Sequence, residues 1–166
     1  NELSYEVSEI LIQPRSLREN LETALKSIRL FTSWDLAELW VPGQEGLSIK
    51  KIAFDADEGI YHQQIRHFLQ LTSSFEYPVK DYDPSIATSY KPYWIEKLSE
   101  NKFEFKRKKI AESTGFQSCL IVPVFNDKQL ICVFSFFSFA QKHYSKSETN
   151  LLSILGKLFG AEIEKR

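Results

Sequence analysis

Gly115-Phe116-Gln117-Ser118-Cys119-Leu120-Ile121-Val122-Pro123-Val124, then Asn126-Asp127-Lys128, then Leu130-Ile131-Cys132-Val133-Phe134-Ser135-Phe136-Phe137-Ser138-Phe139, is the stretch that decides the fold. A glycine ends a helix well because it accepts a left-handed backbone. The residues after it are apolar and β-branched, a strand pattern. Asn and Asp tolerate left-handed angles too, so residues 126–128 turn the chain into a hairpin. Ser145-Lys146-Ser147-Glu148 then opens a closing helix. With a two-residue turn at Asp127-Lys128, Cys119 is expected opposite Phe136 and Cys132 opposite Pro123. That offset is about four residues, or roughly 13 Å of strand. A disulfide needs Cα atoms within about 7 Å, so two reduced, buried thiols are expected.

Working outward, residues 2–12 carry Leu3, Val7, Ile10 and Leu11 at helical spacing, and Pro14 stops the pattern. Ser16 and Glu19 form a capping box for a second helix, whose apolar stripe is Leu17, Leu21, Ala24, Leu25, Ile28 and Phe31. Leu36 to Val41 reads as a strand, Pro42 to Gly46 as a turn, and Leu47 to Phe54 as the antiparallel partner. Tyr61, Ile65, Phe68 and Leu69 mark a short amphipathic helix. Pro78, Pro84 and Pro92 keep residues 74–92 irregular. Tyr93 to Leu98 reads as a strand, and Phe105, Ile110 and Ala111 as a helix ending at Gly115. Hairpins and single strands alternating with helices give an α+β, mostly antiparallel class.

The 166 residues are 43% hydrophobic and 26% charged, with a net charge of −1. One globular domain with a real core is expected, with no overall pull toward nucleic acid or anionic membrane. No apolar run approaches the roughly 20 residues of a membrane span, and a cytoplasmic location is expected. The chain contains no Met and begins at Asn1, which reads as a domain cut from a longer polypeptide. Within it, 1–13 is expected as an N-terminal linker helix and 16–166 as the domain core.

The C-terminal run, with Pro123 just before the hairpin, resembles the end of a GAF domain. Asp35-Leu36-Ala37-Glu38-Leu39-Trp40-Val41 resembles that family's first strand, and Lys91-Pro92-Tyr93-Trp94-Ile95-Glu96-Lys97-Leu98 its third with the preceding turn. The resemblance implies a central six-stranded antiparallel sheet, terminal helices on one face and a pocket on the other. Segment 74–92 and the helix before Gly115 would roof the pocket. It further implies a non-enzymatic sensory or regulatory domain of a signalling protein such as a histidine kinase. Such a domain binds a small molecule or mediates dimerisation, relaying the result through its terminal helices. Adjacent signalling domains would be its partners.

Tetrapyrrole-binding members attach a bilin through a Cys-His pair, and the matching positions here hold Lys106 and Arg107. A second cysteine found in some members falls at Ser85, after Asp83-Pro84. No covalent cofactor is therefore expected, which leaves room for an unidentified small-molecule ligand. The cyclic-nucleotide signature survives only in part at Gln141-Lys142, Tyr144 and Glu148-Thr149, which leaves cyclic-nucleotide binding as one alternative. Another is reduction of free methionine sulfoxide, against which the offset of the two cysteines argues.

Tyr90, Tyr93, Trp94, Phe103, Phe105 and Phe116 are the candidate pocket wall, with Ser118 beside them. Aromatic walls with a few polar groups suit small-ligand sites, and the same spacing also suits plain core. Lys106-Arg107-Lys108-Lys109 reads as a solvated helix face, with a phosphate or nucleic-acid contact as the sharper reading. His62, His67 and His143 share no helix face or metal-ligand spacing, so no metal is expected. On the closing helix, Leu152, Gly156, Phe159, Gly160 and Ile163 are the candidate homodimer interface, the two glycines allowing close approach.

Overall fold

The computed structural model describes residues 1–43, 48–72, 77–78, 91–100 and 106–166. Helix α1 spans Glu2–Leu11 and α2 spans Leu17–Thr32. The Ser16 hydroxyl accepts from the Glu19 amide at 3.1 Å and donates to the Glu19 carboxylate at 2.9 Å, so the capping box forms as the sequence indicates. Strands β1 (Leu36–Pro42) and β2 (Ser48–Ala56) follow, then α3 (His62–Thr72), β3 (Tyr77–Pro78) and β4 (Tyr93–Ile95). A short 3-10 turn covers Leu98–Glu100, and α4 runs from Lys106 to Thr114. Strands β5 (Ser118–Asn126) and β6 (Gln129–Ser138) make the hairpin, and α5 (Lys146–Lys165) closes the chain.

The strands form one six-stranded sheet in the order β3-β2-β1-β6-β5-β4, and every pairing is antiparallel. Side chains alternate across it. Ala37, Leu39, Leu120, Val122, Phe134 and Phe136 point to one side, into a core shared with α1, α2 and α5. Leu36, Trp40, Cys119, Ile121, Val133 and Phe137 point to the other, toward α3 and α4. We call these the proximal and distal faces. The terminal helices thus lie together on one face, as expected. Helix α1, expected as a linker, buries Leu3, Val7 and Leu11 in the proximal core. The buried Asn20 amide fastens its end by donating to the Gln13 carbonyl at 2.9 Å.

The hairpin departs from its expected register by one residue. Asn126 pairs with Gln129 and Phe125 with Leu130, but beyond an irregularity at Val124 the pairs become Val124–Cys132 and Cys119–Phe137. A β-bulge inserts an extra residue and slides every later pair; its signal is not readable from turn chemistry alone. The two thiols are consequently further apart than expected, and they face opposite sides of the sheet.

Gly115 has φ of +110° and leaves α4 with its own amide and that of Phe116 both donating to the Ala111 carbonyl, at 3.2 and 3.1 Å. A Cβ there would find room, its nearest neighbour being a Phe139 ring carbon at 3.6 Å, so the constraint is the backbone angle alone. Gly115→Ala is expected to cost about 1–2 kcal/mol in urea unfolding. A cost near zero would mean that the α4 end relaxes freely.

Candidate functional site

The distal face carries a buried charge cluster at its centre. In β1 the alternation that places Leu36 and Trp40 in the distal core places Glu38 between them, fully buried. Its neighbour across β6 is Ser135, also buried, and across β2 it is Phe54. A carboxylate in that position is costly unless it is paired and hydrogen-bonded. Arg107 of α4 reaches it, Nη2 to Oε1 at 2.5 Å, and Lys51 of β2 reaches the other oxygen, Nζ to Oε2 at 3.2 Å. The Trp40 indole also donates to Oε1, at 3.3 Å. Burial pushes the Glu38 carboxyl up, but the Arg107 and Lys51 charges and their hydrogen bonds outweigh it, and the group is held below the ordinary carboxylate range.

Rings surround the Arg107 guanidinium. Its central carbon lies 4.7 Å from the Trp40 ring centre, 5.2 Å from Phe137 and 5.3 Å from Phe68 of α3. These distances are within cation–π range. Beside the cluster, a groove of about 640 Å³ opens between β2, α3 and the start of α2, lined by Arg18, Lys50, Lys51, Phe54, Arg66 and Leu69. Lys51 therefore touches both the groove and the buried carboxylate.

Of the expected pocket wall, Tyr93 does lie on the distal face, partly buried and paired with Ile121. Phe116 lies on that side as a core residue, edge-on to Phe68 at 5.1 Å and stacked on Phe139 at 4.2 Å. Trp94 does not belong there. Strand alternation turns it to the proximal side, 5.3 Å from Trp34, with its indole donating to the Lys142 carbonyl at 2.9 Å. Ser118 serves as a clasp rather than a wall: its hydroxyl donates to the Glu96 carbonyl at 2.6 Å and accepts from the Lys142 amide at 2.7 Å. Tyr90, Phe103 and Phe105 lie outside the described residues, as do Ser85 and the rest of 79–90.

The basic run is a further correction, since Arg107 and Lys108 are buried and only Lys109 of the three is exposed. Lys108 pairs with Glu112 one turn on, at 3.4 Å. Sequence reasoning passed over Glu38 and Lys51, although a lone glutamate alternating with Leu36 and Trp40 signals a buried carboxylate in need of a cation.

The candidate dimer residues are used within the chain. Leu152 and Phe159 are fully buried, Phe159 standing edge-on to Phe134 at 4.9 Å, and Ile163 is partly buried against the same core. A Cβ on Gly156 would come within 2.7 Å of a Val124 methyl, and one on Gly160 within 3.3 Å. The close approach that the glycines permit is therefore made by the chain's own sheet. Both cysteines are buried, and burial, helped by Glu164, pushes the Cys132 thiol up to about 12. Among the described residues no group of His, Cys, Asp and Glu is placed to hold a metal ion, and no helix is long and apolar enough to cross a membrane.

Comparison with solved structures finds this architecture repeatedly. The GAF domain of a phosphoenolpyruvate-protein phosphotransferase from Coxiella burnetii superposes with a TM-score of 0.76 at 12% identity, over 99% of this chain and 92% of that one. The phycoerythrobilin-bound GAF domain of a cyanobacterial phytochrome gives 0.75 at 12% identity, over 98% and 92%. The free methionine-R-sulfoxide reductase of Neisseria meningitidis, in complex with its substrate, gives 0.74 at 13% identity, over 98% and 87%. No curated protein sequence matches the chain. These likenesses show the fold, and the family model for the GAF domain matches residues 16–163, from the first residue of the capping box to the last turn of α5. By that match, and by the antiparallel sheet with its terminal helices on one face, the chain belongs to the GAF domain family.

Proposed function

We propose that this GAF domain is a non-enzymatic sensory or regulatory unit of a signalling protein such as a histidine kinase. The carrying observation is the buried cluster of Glu38, Lys51 and Arg107, which ties α4 to the middle of the sheet. A small molecule bound at the distal face shifts the seating of α4. The sheet, one layer thick, passes that change to α1, α2 and α5, whose side chains pack on its other side, and so to the neighbouring domains. The test is native mass spectrometry of the purified protein, followed by hydrogen exchange with any retained compound added back. Protection changes are expected in α4 and in α1 or α5. A retained compound that leaves all three unchanged would overturn the relay.

Several observations favour this reading over its rivals. Thiol-based reduction of methionine sulfoxide needs an accessible thiolate and a second thiol in reach. Cys119 and Cys132 are buried on opposite faces of the sheet. Free methionine sulfoxide is therefore expected to show no turnover above buffer, and steady turnover lost in Cys119→Ser would restore the enzyme reading. Polyanion binding is disfavoured because Arg107 and Lys108 face inward. For a homodimer through the terminal helices, the apolar side chains on offer include Tyr5 of α1, Ile12 just after it, Leu30 and Phe31 of α2 and Ile154 of α5, all more than half exposed. A cytoplasmic location accords with reduced thiols.

A further inference from the structure

We propose that the groove between β2, α3 and the start of α2 is a receptor site for a small organic anion, a carboxylate or phosphate carried on an apolar body. The inference rests on the reading of this domain as a sensory unit and names the class of compound sensed.

The groove concentrates positive charge. Its lining holds Arg18 of α2, Lys50 and Lys51 of β2 and Arg66 of α3, and no carboxylate. The whole chain has a net charge of −1, so this excess is local. An adjoining hollow, which shares Phe54, Arg66 and Leu69 with the groove, is acidic, lined by Glu22, Asp55, Asp57 and Glu58. Three of those acids already have cations: Arg29 meets Asp55 at 2.6 Å and Asp57 at 3.9 Å, and Arg18 meets Glu22 at 3.6 Å. The last is an exposed pair one helical turn apart, weak enough to yield to a better-placed anion.

Much of the remaining lining is apolar, with Ile52, Phe54 and Leu69 at its centre, and the volume of about 640 Å³ is that of a small-molecule site. Apolar surface set among cations suits an organic acid better than a bare inorganic ion. Arginine forks match carboxylate and phosphate oxygens alike, and a cation would meet four like charges.

The origin of the four cations gives binding a structural consequence. Helix α2 packs on the proximal face and α3 on the distal one, so an anion held by Arg18 and Arg66 ties the two layers together at the β2 margin. Lys51 carries the effect inward. Its ammonium lies 5.3 Å from the Phe54 ring centre and 3.2 Å from the Glu38 carboxylate. An anion in the groove competes with Glu38 for that ammonium and loosens the cluster beneath α4.

The test is an NMR titration of the unaltered protein with benzoate, benzamide and acetate, which separate the charge from the ring. Benzoate is expected to shift amide signals of β2 and α3. It should bind at least about 10-fold more tightly than benzamide, which lacks the charge, or acetate, which lacks the ring. Raising NaCl from about 20 to about 500 mM is expected to weaken benzoate several-fold. The double variant Lys50→Ala, Arg66→Ala alters two exposed side chains and is expected to lose about 10-fold in benzoate affinity. Lys146→Ala with Lys157→Ala removes the same charge from exposed positions of α5 and is expected to change it less than about twofold. Equal affinity for benzoate and benzamide, insensitivity to salt, or equal losses in the two double variants would overturn the anion site. Displacement of benzoate by far less pentaglutamate would also overturn it, in favour of a docked acidic chain. Hydrogen exchange separates the site from the relay. Benzoate bound as expected with α4 unchanged would uphold the site and count against the relay, and a neutral compound retained at the groove in native mass spectrometry would overturn the site and leave the sensory reading intact.

Discussion

Glu38→Ala is expected to destabilise the domain by about 3–5 kcal/mol, because it strands two buried cations at once. Arg107 is 1% exposed and cannot turn to water without moving α4, whereas the Lys51 side chain, 9% exposed, borders the groove. Arg107→Met is expected to cost a comparable amount by leaving Glu38 with Lys51 alone. The double variant should cost clearly less than the sum of the singles, since it removes both ends of one contact. Urea melts would show the loss as a lower midpoint with little change in slope. A cost below about 1 kcal/mol for Glu38→Ala would mean that water or another group compensates, and that the cluster does not hold α4 down.

The same pair sets a pH dependence. The Glu38 carboxyl is held below its ordinary range because Arg107 and Lys51 overcome the effect of burial. A carboxyl whose folded value lies below its unfolded one binds fewer protons in the folded state. Its stabilisation is complete above the unfolded value of about 4.3 and fades as pH falls through the folded value. Glu38→Gln should therefore flatten the acid limb of the stability curve below about pH 4, while lowering stability at neutral pH.

Gly156→Val is expected to be the second costly substitution, at about 3 kcal/mol. Even its Cβ would stand 2.7 Å from a Val124 methyl and 3.3 Å from a Phe134 ring carbon, both fixed in the sheet. Relief requires lifting α5 from β5 and β6. Gly160→Ala makes the useful contrast. Its Cβ would lie 3.3 Å from a Val124 methyl and 3.5 Å from an Ile131 methyl, and the gain in helix propensity, about 1 kcal/mol, roughly offsets the crowding. A change within about 1 kcal/mol is expected there. Equal effects at both positions would show that α5 adjusts as a rigid rod and not residue by residue.

Local chemistry made most of the fold legible. The Ser16–Glu19 and Ser145–Glu148 caps, Gly115 and the Asp127-Lys128 turn are short-range signals, and each lies where the sequence puts it. What escaped depends on partners distant in sequence. Whether Gly156 and Gly160 meet another chain or Val124 is a question of which apolar stripe of α5 the sheet covers, and α5 offers two. Trp94 reads with its neighbours as aromatic pocket wall, yet a strand sends adjacent side chains to opposite faces. The run at 106–109 looks like a wet surface until Glu38, far away in β1, supplies its counter-charge.

The opposed cysteines give the molecule two internal clocks. Cys119 is sealed beneath α3 and α4, Cys132 beneath the terminal helices, and neither is reached by solvent. An alkylating reagent can modify each thiol only when the layer above it lifts. Time-resolved labelling, resolved by peptide, therefore reads the breathing of each layer separately in the unaltered sequence. A signal that crosses the sheet should quicken or slow both clocks together.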